Sequence, residues 1–394
     1  MSHGVSGEGS GGEGGVAGRV LVLNTGSSSV KYALMAGDRR LASGMVERIG
    51  EPGSPVADHE EALKIVAAEL AGEGLGLDSP ELTAIGHRVV HGGTTFTEPT
   101  PITDEVIGKI EELVPLAPLH NPPNLVGIEI ARRLRPDLPQ VAVFDTAFHS
   151  TIPEAAATYA IDRETAERLR IRRYGFHGTS HAYVSRKAAL AAGRPRGNVI
   201  VLHLGNGASA SAVSDGRCVE TSMGMTPLEG LVMGTRSGDL DPAVVVYLGR
   251  TAGMSLDEID TLLNRRSGML GLCGDNDMRV VRERLAAGDA EAELALAVYC
   301  HRLRKYVGAY YAVLGTVDVI AFTGGVGENA PLVREIALAG LEALGIAVDP
   351  GRNARGERLI SPDGSPVKVM VIPTDEELEI ARQTLAIVSR TNPR

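Results

Sequence analysis

Cysteine is scarce in this sequence: its 394 residues hold three, Cys218, Cys273 and Cys300, far apart and without the paired spacing of a zinc site or a disulfide framework. They read as buried thiols of a protein kept in a reducing cytoplasm. Long hydrophobic runs are missing as well. No apolar stretch approaches the ~18 residues of a membrane span, so no membrane association is expected. Basic residues fall short of acidic ones, 39 Lys and Arg against 49 Asp and Glu, for a formal net charge of -10. Such a balance repels a phosphate backbone and argues against nucleic acid, while leaving room for a small anion in a local basic pocket. The first 18 residues, MSHGVSGEGSGGEGGVAG, lack the apolar stretch of a signal peptide and hold eight glycines. They read as a flexible tail.

What is present is the composition of a globular protein, 43% hydrophobic against 22% charged. At roughly 150 residues per domain the length allows two or three domains. Short apolar runs at 19–24, 30–35, 84–90, 140–144, 198–204, 208–213, 317–323 and 367–372 read as strands and alternate with helical patterns. That alternation predicts an α/β protein. Helical periodicity is clearest over 124–134, with Pro122 and Pro123 just ahead of it, and over 290–314. A last helix is predicted to start at Thr374, where Thr374 and Glu377 spell a capping box.

Two stretches share one plan. VLVLNTGSSSVKYALM from Val20 and NVIVLHLGNGASASAVSDG from Asn198 each read as strand, small-residue glycine turn and second strand. They predict a duplicated domain core. A phosphate loop needs glycine so that backbone N–H groups can approach the anion, and small hydroxyls to add donors. The 24–29 segment NTGSSS with Lys31 supplies both, although it lacks the GK[ST] ending of a Walker loop, and a plain hairpin turn would use the same residues. A third cluster, TGGVGENA at 323–330, spells G-x-G-x-x-A after a strand, with Asp349 roughly 20 residues further on, as in a dinucleotide-binding fingerprint. Too few residues follow Asp349 to complete such a fold. A nucleotide of another kind fits the loop better.

The polar candidates are individually weak. In GHRVVHGG at 86–93, Arg88 and Val90 fall on one face of a predicted strand, with His87, Val89 and His91 on the other. Asp145 and His149 follow a strand's C-terminal end, where α/β proteins usually hold ligands. In YGFHGTSH at 174–181 the histidines His177 and His181 stand four apart without the adjacent glutamate of a zinc protease, and capping or core hydrogen bonding would explain them too. Arg236 lies in a polar turn ahead of a helix, where a surface arginine is the alternative.

Taken together in order, NTGSSSVK, GHRVVHGG, LAPLHNPPNL, FDTAFH, YGFHGTSH, HLGNGAS, TSMGMTPLEGLVMGTRSGDLDP, GDNDMR, TGGVGEN and IPTDEELEIA resemble the acetate kinases, from about Arg19 to Val388. The resemblance implies a duplicated ribonuclease H-like, actin-like ATPase fold. In it, residues 19–150 and the helix 376–394 form one domain, 151–375 form a second that carries most of the ATP site, and the protein is a homodimer. It implies reversible, magnesium-dependent transfer from ATP to acetate, giving acetyl phosphate and ADP, with manganese as a substitute metal. By the same resemblance Asn24 and Glu376 hold the metal. ATP lies against His203, Leu204, Gly205, Asn206 and Gly207, with Ser27 and Lys31 closing from the other domain. Asp277, Met278 and Arg279, with Gly324, Gly325, Val326, Gly327 and Glu328, hold the adenosine end. Acetate places its carboxylate on Arg88 and its methyl against Val90, Leu119, Phe176 and Pro227. Arg88, Arg236 and His177 supply positive charge for the transferring group, and Asp145 orients an arginine. Relatives usually carry Asn where this chain has Asp375, beside the proposed metal ligand. Alternatives are a propionate or butyrate kinase on the same scaffold, an actin-like nucleotide switch and a dehydrogenase.

Overall fold

The computed structural model describes residues 18–391, so all of the glycine-rich tail but Gly18 lies outside the described residues. Two mixed sheets organise the chain. The first joins β1 (Arg19–Thr25), β2 (Ser29–Ala36), β3 (Arg39–Glu47), β4 (Leu82–Val89), β5 (Thr100–Pro101) and β6 (Gln140–Phe144) in the order β3-β2-β1-β4-β6-β5. The second joins β7 (Asn198–Leu204), β8 (Ala208–Ser214), β9 (Arg217–Thr221), β10 (Val319–Thr323) and β11 (Lys368–Val371) in the order β11-β10-β7-β8-β9. In each, an antiparallel meander of three strands continues through two parallel ones: β1 pairs parallel with β4 and β4 with β6, as β7 pairs with β10 and β10 with β11. The two hairpins that share a sequence plan, β1–β2 and β7–β8, therefore occupy equivalent places, and β5 is an addition to the first sheet.

The central strands β6 and β10 are buried throughout, as layers covered on both faces require, and their sequences are accordingly continuous apolar runs. Helices Gly178–Ala191 and Glu376–Thr391 pack on each other, the first on β7 and β10 and the second on β1, β4 and β6. Val20, Val22, Val184, Val199, Leu378 and Ala381 thus belong to one core that runs between the sheets. Helices His59–Gly72 and Asn121–Leu134 cover the outer side of the first sheet, and helix Ala290–Leu314 that of the second.

Two helix starts differ from expectation. Pro122 and Pro123 lie inside the first turn of helix Asn121–Leu134, where the missing proline N–H groups leave no intrahelical bond unmade. The C-terminal helix starts at Glu376, and Asp375 caps it by accepting from Leu378 N–H at 3.0 Å. Thr374 and Glu377 form no capping box because each has a tertiary partner. The Thr374 hydroxyl bonds Ser180 Oγ at 2.8 Å, while Glu377 pairs with Lys31 at 2.5 Å and with Arg40 at 3.4 Å. Asp375 also binds Arg40 at 2.7 Å, which accounts for its charge without a metal.

Candidate active site

Gly26 in the first hairpin's turn and Gly205 with Asn206 in the second's each line a cavity. One, of about 320 Å³, is lined by Asn24, Gly26, Ser29, Lys31, Arg88, Val90, His120, Asn124, Asp145, Phe176, His177, Pro227 and Arg236, together with Thr25 and Met45. The other, of about 680 Å³, has Gly205, Asn206, Asp277, Met278, Arg279, Gly325 and Val326 in its wall, beside an apolar side made by Val281, Leu296, Leu332 and Val333. Residues far apart in sequence are therefore gathered as a charged chamber and a larger, more apolar one.

Arg88 leaves the end of β4 and meets Asp145 just past the end of β6; Nε donates to Oδ1 at 3.0 Å and Nη2 to Oδ2 at 2.7 Å. This fork is nearly dry, with the Asp145 side chain 2% exposed. Burial works against the Arg88 charge, but Asp145 and Glu376 more than restore it. Burial raises the Asp145 carboxyl, and the Arg88 guanidinium pulls against that rise. Arg236 is different. Its Nη1 donates to the Pro227 carbonyl at 3.1 Å, and it has no carboxylate partner among the described residues. Burial alone acts on it, pulling its pKa down. A cation held out of water without a counter-ion is costly, and an anionic ligand would relieve that cost.

His177 stands in the left-handed region at φ 58°, unusual for a non-glycine residue. Its backbone is clamped on both sides: His149 Nε2 donates to the Phe176 carbonyl at 2.9 Å, and Gly178 N–H donates to the Asp145 carbonyl at 3.0 Å. Only glycine fits at 178, since a Cβ there would overlap that carbonyl oxygen. The expectation that His177 adds positive charge is opposed by its surroundings. Burial, with His203, His181, Arg88 and Arg236 nearby, drives its pKa well below the usual value, so the imidazole is neutral at pH 7.

Glu376 accepts from Thr179 Oγ1 at 3.3 Å. Burial pushes its pKa up, but Arg88, His203, Thr179 and Lys31 outweigh it and hold the carboxylate ionised. With the amide oxygen of Asn24 it offers hard oxygen donors of the kind magnesium prefers. Among the described residues no group of three or more His, Cys, Asp or Glu side chains could hold a metal alone, so substrate oxygens and water would have to complete such a site.

Other predicted residues lie outside the cavities or line them while held by protein partners. Leu119 is 62% exposed and outside the chamber wall. Ser27 is exposed at the turn, and Ser29 takes its place in the lining. Lys31 borders the chamber but is paired with Glu377. His203 and Leu204 are buried in β7, with His203 Nδ1 bonded to Ser180 Oγ at 2.7 Å. Gly324 and Gly327 are buried beneath the larger cavity; at Gly324, φ 78°, a Cβ would come within 2.7 Å of the Leu204 carbonyl. Glu328 turns inward and accepts from Gly324 N–H at 2.9 Å, so it shapes the glycine loop from beneath. Arg279 is tied to Asp277 at 2.6 Å. The sequence reading did not single out His120 and Asn124, although both lie in LAPLHNPPNL. Asn124 joins the ends of β1 and β4, donating to the Thr25 carbonyl at 2.6 Å and accepting from Val90 N–H at 3.0 Å.

The buried histidines carry a pH prediction. His87, His91 and His149 are 2%, 0% and 2% exposed, and burial lowers each from the usual 6.5 to about 4. Below pH 6.5 the unfolded chain takes up protons that the folded one refuses, so stability is complete above 6.5 and falls as pH drops toward 4. The loss at pH 5 is on the order of 2 kcal/mol per group. Urea midpoints measured at pH 7.5, 6.0 and 5.0 should fall steadily. A flat series would mean that these rings are accessible to protons in the folded protein.

The sequence matches the acetokinase family over residues 19–382. The acetate kinase of Streptomyces coelicolor is 66% identical, over 95% of this chain and 98% of its own length. Among solved structures, Porphyromonas gingivalis acetate kinase aligns with a TM-score of 0.90 at 44% identity, over 94% of this chain and 100% of its own. A propionate kinase from Francisella tularensis aligns with a TM-score of 0.89 at 42% identity, over 94% and 99%. The duplicated halves around a cleft are the actin-like ATPase architecture. The chain belongs to the acetokinase family.

Proposed function

We infer that this chain is an acetate kinase, transferring the terminal phosphoryl group of ATP to acetate to give acetyl phosphate and ADP, and running the reverse reaction as well. The observation that carries the reading is the charged chamber itself, where Arg88 is fixed by Asp145 and Arg236 has no counter-ion among the described residues. Joining a carboxylate to a phosphoryl group brings two anions together, and planar guanidinium forks can reach two oxygens of each. Acetate is ionised at neutral pH, so no base is needed to activate it. The adenosine end of ATP occupies the larger cavity, between Val326 and the Asp277 to Arg279 segment. Magnesium, held through Asn24 and Glu376, would neutralise phosphate charge. The fold's two halves act as separate domains, and the enzyme works in the cytoplasm as a homodimer. Trapping acyl phosphate with hydroxylamine, across formate, acetate, propionate and butyrate, tests the assignment. Acetate should give the highest kcat/KM, and absence of any hydroxamate would end the kinase reading.

The acid preference is assigned to Val90, in the chamber wall with Phe176 and Pro227. Val90→Ala removes two methyl groups, worth up to about 1.6 kcal/mol of apolar contact. Propionate can fill the space while acetate loses contacts. The propionate-to-acetate ratio of kcat/KM should rise by up to about tenfold, with a higher KM for acetate. An unchanged ratio would place Val90 outside the methyl pocket.

A further inference from the structure

We propose that Ser209 and His181 set the tautomer of His177, keeping its proton on Nε2 so that the neutral ring presents a hydrogen-bond donor to the transferring phosphoryl group. Ser209 lies in β8, fully buried, with Oγ 2.9 Å from His177 Nδ1 and 2.7 Å from His181 Nε2. A hydroxyl has one proton. It donates to one ring and must accept from the other.

The remaining nitrogen of His181 decides which. His181 Nδ1 is buried and has no partner among the described residues. A proton there would leave a buried N–H unpaired, a far rarer and costlier situation than an unpaired lone pair. His181 therefore carries its proton on Nε2 and donates to Ser209. The serine hydroxyl then points at His177 Nδ1, which accepts, and the one proton of neutral His177 sits on Nε2.

That nitrogen faces the chamber. At Gly207 an added Cβ would lie 3.6 Å from His177 Nε2 and 3.5 Å from Arg236 Nη1, so the two converge on one patch of the glycine turn. The opposite tautomer would aim a lone pair at anionic oxygens and repel them. Chain geometry supplies the relay. His177 immediately precedes helix Gly178–Ala191 and His181 stands one turn on, on the same face. Ser209 is paired with His203 across the β7–β8 hairpin, two residues beyond Gly207. The groups facing His177 are His203, with ring centroids 4.4 Å apart, His181, Arg88 and Arg236. All of them oppose a second proton.

Ser209 is thus a positioning residue. Its kinetic role rests on the phosphoryl-transfer reading, but the tautomer is read in the free protein without turnover, so the two can fail separately. The test uses full-length protein labelled with ¹⁵N in its histidine rings, with His177 assigned by the signals lost in His177→Gln. At pH 7 the expected pattern is a protonated Nε2 and an unprotonated Nδ1. In Ser209→Ala the pattern should move toward a mixture of tautomers, and kcat should fall about tenfold with both KM values within about twofold. An imidazolium or an Nδ1-protonated ring in the unmodified protein overturns the proposal whatever the variant does. So does Ser209→Ala with unchanged kcat.

Discussion

Arg236→Ala should lower kcat on the order of 10³-fold while the KM for ATP moves by less than about tenfold. The asymmetry follows from where the arginine stands. Its guanidinium is mostly buried, bonded to the Pro227 carbonyl and without a carboxylate partner among the described residues. A charge so placed interacts most strongly with the species that carries the most spread negative charge, which is the transition state. Arg236 does not line the other cavity, where we propose that the adenosine end binds, so ATP should be held nearly as well without it. The same reasoning predicts the effect on folding. Removing an uncompensated buried cation relieves a desolvation cost, so the thermal midpoint should stay level or rise. Steady-state kinetics and a thermal melt of the one variant check both parts. A kcat within tenfold of the parent, with the fold intact, would make Arg236 a structural residue.

The strands that build this site were legible because they are central and apolar. The predicted runs at 140–144 and 198–204 coincide with β6 and β7, which are buried almost throughout and apolar but for Gln140, Asn198 and His203, so the pattern stands out. Strands β3 and β9 escaped the reading for the opposite reason. They lie at sheet edges or beside them, and RRLASGMVE and RCVET mix charged, small and apolar residues as half-exposed strands do. Local spelling also misled at the C-terminal helix. Thr374 and Glu377 fit a capping box, but Ser180, Lys31 and Arg40, all distant in sequence, claim those side chains, and Asp375 caps instead. The site residues showed the same division. Arg88 was visible on one face of a strand and Asp145 at another strand's end, yet their pairing depends on the parallel register that sets Arg88 against Val143 across β4 and β6. No spacing in the sequence encodes that register. Leu119, beside the helix that contributes Asn124, is turned to solvent.

That register gives the last prediction its form. Asp145→Ala should cost more than the loss of one hydrogen-bond acceptor, because it leaves the mostly buried Arg88 guanidinium with its fork unmatched. Breaking one partner of a buried pair typically destabilises by ~3–5 kcal/mol, so the thermal midpoint should drop clearly. Catalysis should fall further than folding does. Both Asp145 oxygens hold Arg88 in one orientation, and a misplacement of about 1 Å in a positioning group can cost ~10²-fold in rate. We expect kcat/KM for acetate to drop by at least about 10²-fold, with Asp145→Asn intermediate because its amide keeps the shape and one acceptor. A double-mutant cycle separates the two ways in which this could arise. If Asp145 acts by orienting Arg88, then once Arg88→Ala has been made the aspartate has nothing left to hold, and the double variant should be little worse than Arg88→Ala alone. If the two losses instead multiply, Asp145 touches the reacting groups on its own account, and the fork between them is only a device for keeping a buried carboxylate charged.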